Sequence, residues 1–216
     1  MQVIEGILLE PVGCLAEFPA GPFHEIAVRL FGRKGKASKS ASRSYWHLLN
    51  LIEAAGKPLD SEQKSIVQAL EIDAAARASV YEDVLPALGE LKVMGIQLLI
   101  ASSLSRAAVG RFLEQRSLAG FFSGVWNRDS ASGIKTFPLL RAVSESGLQP
   151  KNTIFLTDSA EGLKVARSAG VNPILMMNDP DEAMRLAAHD PAGGIVSMHE
   201  LPDFVRLVKA QNQQRS

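Results

Sequence analysis

Six short apolar runs punctuate the chain, and apolar residues recur at spacings of three and four between them. The runs are VIEGILL (3–9), IQLLIA (96–101), FFSGVW (121–126), TIFLT (153–157), NPILMM (172–177) and GIVSM (194–198). Strands without polar alternation are buried on both faces, so these runs predict a parallel sheet flanked by helices. Val84, Leu88 and Leu91 line one predicted helix, which Gly95 ends. Leu104, Ala108 and Phe112 line the next; 138–143 and 163–169 behave likewise, the last ending at Gly170. Strand and helix alternate over short connections, which is the signature of a doubly wound α/β fold.

One stretch breaks the rhythm. Between Glu17 and Tyr81 only helical patterns occur, FHEIAVRLF, SYWHLLNLIEAAG and SEQKSIVQALEI, the third opening with Asp60 and Gln63 at capping-box spacing. The chain therefore divides into a core of 1–16 plus 82–216 and a helical cap of 17–81, expected to cover the carboxyl edge of the sheet, where open α/β sheets bind ligands.

Composition removes several classes of function. Of 216 residues, 46% are hydrophobic and 21% charged, a balance that supports a buried core. Lys plus Arg and Asp plus Glu each number 23, so no uniformly basic surface for nucleic acid is expected. The single cysteine, Cys14, excludes an internal disulfide and a multi-cysteine zinc cluster and suits a reducing compartment. The first residues lack the basic region of a secretory leader, and no apolar run reaches the roughly 18 residues of a membrane span. A cytoplasmic protein is expected.

The strand ends carry the candidate chemistry. Glu10-Pro11-Val12-Gly13-Cys14 follows the first strand, Ser102-Ser103 the run at 96–101, Lys135 lies in the loop after 121–126, and Asp158-Ser159-Ala160-Glu161 follows 153–157. A carboxylate, a hydroxyl, a lysine and a second carboxylate on one edge could hold a phosphate and a divalent cation.

With these residues in place, the chain resembles the haloacid dehalogenase (HAD) superfamily, in particular its helical-capped, phosphoglycolate-phosphatase-like members. The resemblance covers nearly the whole chain and is strongest in VYEDVLPALGELKVMGIQLLIASSLSRAAVGRFLE and GIKTFPLLRAVSESGLQPKNTIFLTDSAEGLKVARSAGV. It implies a Rossmannoid parallel sheet with an inserted all-helical cap, a Mg²⁺ cofactor and a small anionic or phosphorylated ligand. In that family the first strand ends in Asp-x-Asp-Gly-Thr, whose first Asp is the nucleophile and whose second is the general acid/base. The resemblance puts Glu10 at the nucleophile, Val12 at the acid/base, Gly13 at the glycine and Cys14 at the threonine. It assigns Ser102, Lys135 and Gly13 to the phosphate and Glu10, the Val12 carbonyl, Asp158 and Glu161 to the metal. The family's usual second acid falls on Gly162, one position after Glu161.

The departures bear on activity. Glu10 reaches one methylene further than aspartate, and a misplacement near 1 Å can cost on the order of 10²-fold. Val12 cannot protonate a leaving alcohol, which typically costs about 10²–10⁴-fold. Dehalogenase- and phosphonatase-like members also lack the second Asp, but they attack with Asp, and no clear cap arginine or lysine matches their substrate-binding residue. A register using Glu5-Gly6 leaves too few residues for the strand and is rejected.

Plainer roles stand beside these. Asp158 and Glu161 have N-cap and N3 spacing for the following helix, and Ser102 or Ser103 could cap the helix after 101. Lys135 could pair with Glu10 or Asp158, or be solvated. Cys14 reads as a small buried hydrophobe and Trp46 as cap packing; His24, His47, His189 and His199 have no ligand spacing. The basic stretch GRKGKASKSASRS (32–44) reads as a solvated cap loop or a docking site for an anionic partner. Three functions follow in order: a divergent family member with little or no phosphatase activity that binds a ligand or regulates; a working Mg²⁺-dependent hydrolase using Glu10; and a protein-interaction module using the basic loop.

Overall fold

The computed structural model describes residues 3–32, 39–178 and 180–213. The chain opens with β1 (Gly6–Leu9), an irregular turn (Pro11–Leu15) and β2 (Ala16–Glu17). Three helices follow, α1 (Ala20–Phe31), α2 (Ala41–Ala54) and α3 (Ser61–Arg77), before β3 (Ser79–Val80). The remainder alternates: α4 (Val84–Val93), β4 (Gln97–Ala101), α5 (Arg106–Gln115), β5 (Gly124–Trp126), α6 (Arg128–Ala131), α7 (Thr136–Ser146), β6 (Thr153–Thr157), α8 (Ala160–Ser168), β7 (Asn172–Met176), α9 (Pro180–Ala187), β8 (Gly193–Ile195) and α10 (Glu200–Gln213).

Six strands form one parallel sheet in the order β5-β4-β1-β6-β7-β8. β1 is central, and Leu9 lies opposite both Ile100 of β4 and Leu156 of β6. The three strands therefore end together, and Glu10, Ser102 and Asp158 leave the sheet on the same edge. The apolar runs are buried because helices cover both faces: Ile7, Leu8, Leu9, Leu99, Ile100, Phe155 and Leu156 have no accessible surface. Among the described residues no helix is long and apolar enough to cross a membrane.

The helical stretch after the first strand is present, and the Asp60–Gln63 capping box forms as its spacing predicts. The stretch is nevertheless bracketed by a two-stranded antiparallel ribbon, with Ala16 opposite Val80 and Glu17 opposite Ser79. Strands of two residues are too short to display a period, so the sequence read them as part of the helical block.

Among the contacts that tie these helices to the sheet, two are extensive. Phe18, Phe23 and Tyr45 form an aromatic chain that reaches Phe112 on α5, with ring centroids 5.2 Å apart for Phe18–Phe112 and 5.3 Å for Phe23–Tyr45. The second contact is ionic. Glu71 of α3 is buried and accepts two hydrogen bonds from the Arg128 guanidinium, at 2.7 and 3.0 Å, and a third from the Ser105 backbone N–H at 3.0 Å. Removing one partner strands the other, a loss of about 3–5 kcal/mol for a buried pair. Glu71→Ala is expected to lower stability by that order in denaturant unfolding, and more than Arg77→Ala, whose partner Asp73 is exposed on the same helix. Equal effects would show that Glu71 holds nothing together.

Candidate functional site

Glu10 leaves β1 in extended conformation, and the chain turns back at once through Pro11 to Leu15. Gly13 makes that turn at φ 82°, and a Cβ there would stand 2.2 Å from Asp158 Oδ2. The backbone can approach the carboxylate only because position 13 has no side chain.

Glu10 is 2% exposed. The Ser102 hydroxyl donates to its Oε1 at 2.5 Å, and the Tyr45 hydroxyl donates to Oε2 at 3.3 Å. The Tyr45 oxygen in turn accepts the Ser103 backbone N–H at 2.9 Å and lies 3.4 Å from Ser102 Oγ. Burial pushes the Glu10 carboxyl up from 4.5 to about 8, and the hydrogen bonds from Ser102 and Tyr45 recover only part of that cost. The group is therefore mostly protonated at neutral pH. Burial, and after it the nearby Glu10, also raises the Tyr45 phenol well above its ordinary value.

Asp158 has different surroundings. The Ser42 hydroxyl donates to Oδ1 at 2.6 Å, and the Asn178 amide lies 3.4 Å from Oδ2 while donating to the Gly13 carbonyl at 2.8 Å. Asp158 does not cap α8. Ser159 does, its Oγ accepting the Gly162 N–H at 3.0 Å, so the expected Asp158–Glu161 capping box is corrected by one residue. The shorter Ser159 side chain, in extended conformation, is the one within reach. Glu161 stands in the first turn of α8. At Gly162, where the family's second acid falls, a Cβ would lie 1.8 Å from Thr157 Oγ1, so no side chain fits there as arranged.

Two further expectations change. Neither Ser102 nor Ser103 caps α5; Ser105 does, accepting the Ala108 N–H at 3.3 Å. Ser102 Oγ instead faces Glu10 and accepts the Leu104 N–H at 3.2 Å, while Ser103 Oγ accepts the Lys135 backbone N–H at 2.6 Å. The Lys135 ammonium turns away from Glu10 and Asp158 to Asn50 Oδ1 at 2.6 Å and Glu53 Oε2 at 2.5 Å, both on α2. Tyr45 covers Glu10 on this side, whereas the edge of α2 offers the Glu53 carboxylate. Cys14 is buried, with Sγ 3.5 Å from the Leu156 carbonyl oxygen. Trp46 is buried beside Tyr45, with ring centroids 5.9 Å apart.

A cavity of about 580 Å³ lies between the first turn of α2 and the strand edge, lined among others by Lys39, Arg43, Tyr81, Asp158, Met177 and Asn178. Glu10 is not part of its wall. Of the basic stretch, Lys39 and Arg43 reach this cavity, while Arg33, Lys34 and Lys36 lie outside the described residues. No group of three or more His, Cys, Asp or Glu side chains gathers to hold a metal among the described residues. The residues missed from sequence are Tyr45, Ser42 and Asn178. Asn178 had a signal, since it follows a strand end; Tyr45 and Ser42 lay within a helical pattern that shows which face is apolar but not what a hydroxyl meets.

A family model for haloacid dehalogenase-like hydrolases matches residues 39–176. The chain belongs to that family. Curated relatives include an enolase-phosphatase E1 from Persephonella marina, 36% identical over 110 residues and covering 49% of this chain and 48% of that protein. A phosphoglycolate phosphatase from Chromobacterium violaceum is 26% identical over 151 residues, 69% of this chain and 68% of its own length. The chain spans about half the length of the enolase-phosphatases it matches. Among solved structures, a HAD-like hydrolase from Streptococcus pneumoniae superposes with TM-score 0.73 at 17% identity, covering 94% of this chain and 99% of that one. An L-2-haloacid dehalogenase from Xanthobacter autotrophicus gives 0.63 at 14% identity, covering 94% and 99%. The HAD fold is thus shared across these chains.

Between pH 4.5 and about 8 the folded HAD chain keeps a proton on Glu10 that the unfolded chain has released. Stability contributed by this group therefore falls as pH rises through that window, at up to about 1.4 kcal/mol per pH unit. The melting temperature of Glu10→Gln, which is neutral throughout, is expected to lack this fall when the two proteins are compared across the same buffers. Parallel profiles would mean that Glu10 is ionised in the fold.

Proposed function

We propose that this HAD-family protein binds a small anionic or phosphorylated molecule in the cavity beside Asp158, in a binding or regulatory role, and has lost efficient phospho-aspartyl hydrolysis. The observation that carries this reading is the enclosure of Glu10: it is 2% exposed, its oxygens accept from Ser102 and Tyr45, and it does not line the cavity. Burial also raises its pKa, which weakens it as a nucleophile at neutral pH, and Val12, which the family resemblance puts at the acid/base, has no group to protonate a leaving oxygen.

The cavity itself supports binding. Lys39 and Arg43 bring positive charge to one wall, Asp158 and Asn178 bring polar groups to another, and Met176, Met177 and Leu186 supply apolar surface. Residues 17–81 act in this reading as a cap that closes the cavity over the core, in a cytoplasmic protein. Magnesium, which the family resemblance implies, would have Asp158 as its carboxylate. Glu10 would first have to give up its proton and its contacts with Ser102 and Tyr45, so the carboxylate pair of an active phosphatase is not in place. Of the basic stretch, Lys39 and Arg43 line this cavity, which supports a small anionic ligand there.

Phosphate release from a broad panel of phosphate esters, with and without Mg²⁺, is expected to be no greater for the wild type than for Glu10→Gln. Turnover by the wild type that disappears in Glu10→Gln would overturn the reading and make Glu10 the nucleophile.

A further inference from the structure

The cavity beside Asp158 has two carboxylates in its wall as well as two cations. The second carboxylate is Glu17, at the end of β2. The short ribbon sets its place: Glu17 lies opposite Ser79 of β3, and the Tyr81 hydroxyl, just beyond that strand, donates to its Oε2 at 3.2 Å. Burial raises the Tyr81 phenol above its ordinary value, and Glu17 and then Asp158 raise it further. Both carboxylates therefore act on one point of the wall and form a single negative pole. Lys39 and Arg43, at the start of α2, form a positive one.

An anion entering this cavity meets repulsion from the negative pole unless a cation enters with it. The family resemblance gives that part to Mg²⁺, but the donor set does not fit a metal of this kind. Glu10 is covered by Tyr45 and stands outside the wall, and no side chain fits at Gly162, where the family's second acid falls. Asp158 already accepts from Ser42 at 2.6 Å, and the Asn178 amide lies 3.4 Å from its other oxygen. Mg²⁺ demands a near-ideal octahedron of oxygens. An ammonium group needs only acceptors within reach of its three donors, and carboxylates held by hydrogen bonds can still supply them.

We propose that the cavity takes a zwitterion, a small molecule whose oxyanion faces Lys39 and Arg43 and whose ammonium group faces Glu17 and Asp158. This inference rests on the reading that the cavity binds a small anionic molecule, and it narrows the class of that molecule. Met177 and Leu186 give the same wall apolar surface for a short carbon chain between the two charges. An anion alone is repelled by Glu17 and Asp158, and an amine alone by Lys39 and Arg43. A molecule that carries both charges is attracted at each end.

Calorimetric titration of the full chain with 2-aminoethyl phosphate and with propyl phosphate tests this. The two probes have the same length, and a methyl group replaces the ammonium in the second. The wild type is expected to bind the zwitterion about tenfold tighter or more. Glu17→Gln should bring the two affinities together, and Lys39→Gln should weaken both probes alike. Glu17 is exposed on a two-residue strand, so its replacement leaves the core intact. Equal affinities in the wild type, or a preference unchanged in Glu17→Gln, overturn the proposal. Mg²⁺ that raises propyl phosphate to the affinity of the zwitterion would assign the negative pole to the metal and overturn it as well. A wild type that binds neither probe nor inorganic phosphate would defeat the functional reading together with this one, whereas equal binding of both probes would defeat this one alone.

Discussion

A carboxyl buried at the end of a central strand has to be paired with a cation, hydrogen-bonded, or protonated. Glu10 takes the last two courses, and much of the surrounding structure follows. Lys135 does not reach it, and that ammonium goes to Asn50 and Glu53. With its oxygens needing partners, it requires Ser102 from β4 and Tyr45 from α2, which can be supplied together only if α2 lies against the strand edge.

The seating of α2 is then fixed from several directions. Ser42 anchors its first turn to Asp158, and Glu53 anchors its last to Lys135. The aromatic chain through Phe23 and Phe18 to Phe112 fills the space behind Tyr45, and the neighbouring α3 is clamped by the Glu71–Arg128 pair. The buried ion pair does more for the relative placement of elements than for net stability, because desolvation offsets much of its attraction. Three-point attachment makes the closed arrangement a property of the whole helix and not of one contact. The cavity beside Asp158 survives because the first turn of α2 meets the core there through small side chains, Ser40, Ala41 and Ser42.

Sequence pattern exposed the parts of this molecule that depend on burial. Strands such as 153–157 and 96–101 are apolar throughout because both faces are covered, and the helices keep their apolar spacing because one face is. The same reasoning placed Glu10, Ser102 and Asp158 on one edge, since strand ends in a parallel sheet come out together. It stopped at side-chain direction. Nothing in the spacing separates Asp158 from Ser159 as the cap of α8, because both can accept a first-turn N–H; the backbone angle at position 159 decides. Tyr45 sits between Ser44 and Trp46 in a helical pattern where its ring belongs to the core, and only the tertiary fold shows its hydroxyl entering the strand edge. Lys135 likewise finds its partners, Asn50 and Glu53, more than eighty residues away on α2.

Family membership and chemistry are carried by different parts of this chain. The match to haloacid dehalogenase-like hydrolases spans 39–176, which holds Ser102, Lys135 and Asp158 but begins after Glu10 and Val12. The matching segment supplies four of the six sheet strands, β4 to β7, but not the central β1. A fold of this kind places groups at the carboxyl edge whatever those groups are, and what happens there is decided by the side chains delivered to it. At that edge the chain delivers the Glu10 carboxyl, Val12 beside it and the Tyr45 phenol, all three buried. The Tyr45 hydroxyl has its partner in Glu10, and the Glu10 carboxyl has its partners in Tyr45 and Ser102. Removing one of these groups alone would leave a buried polar group without its partner.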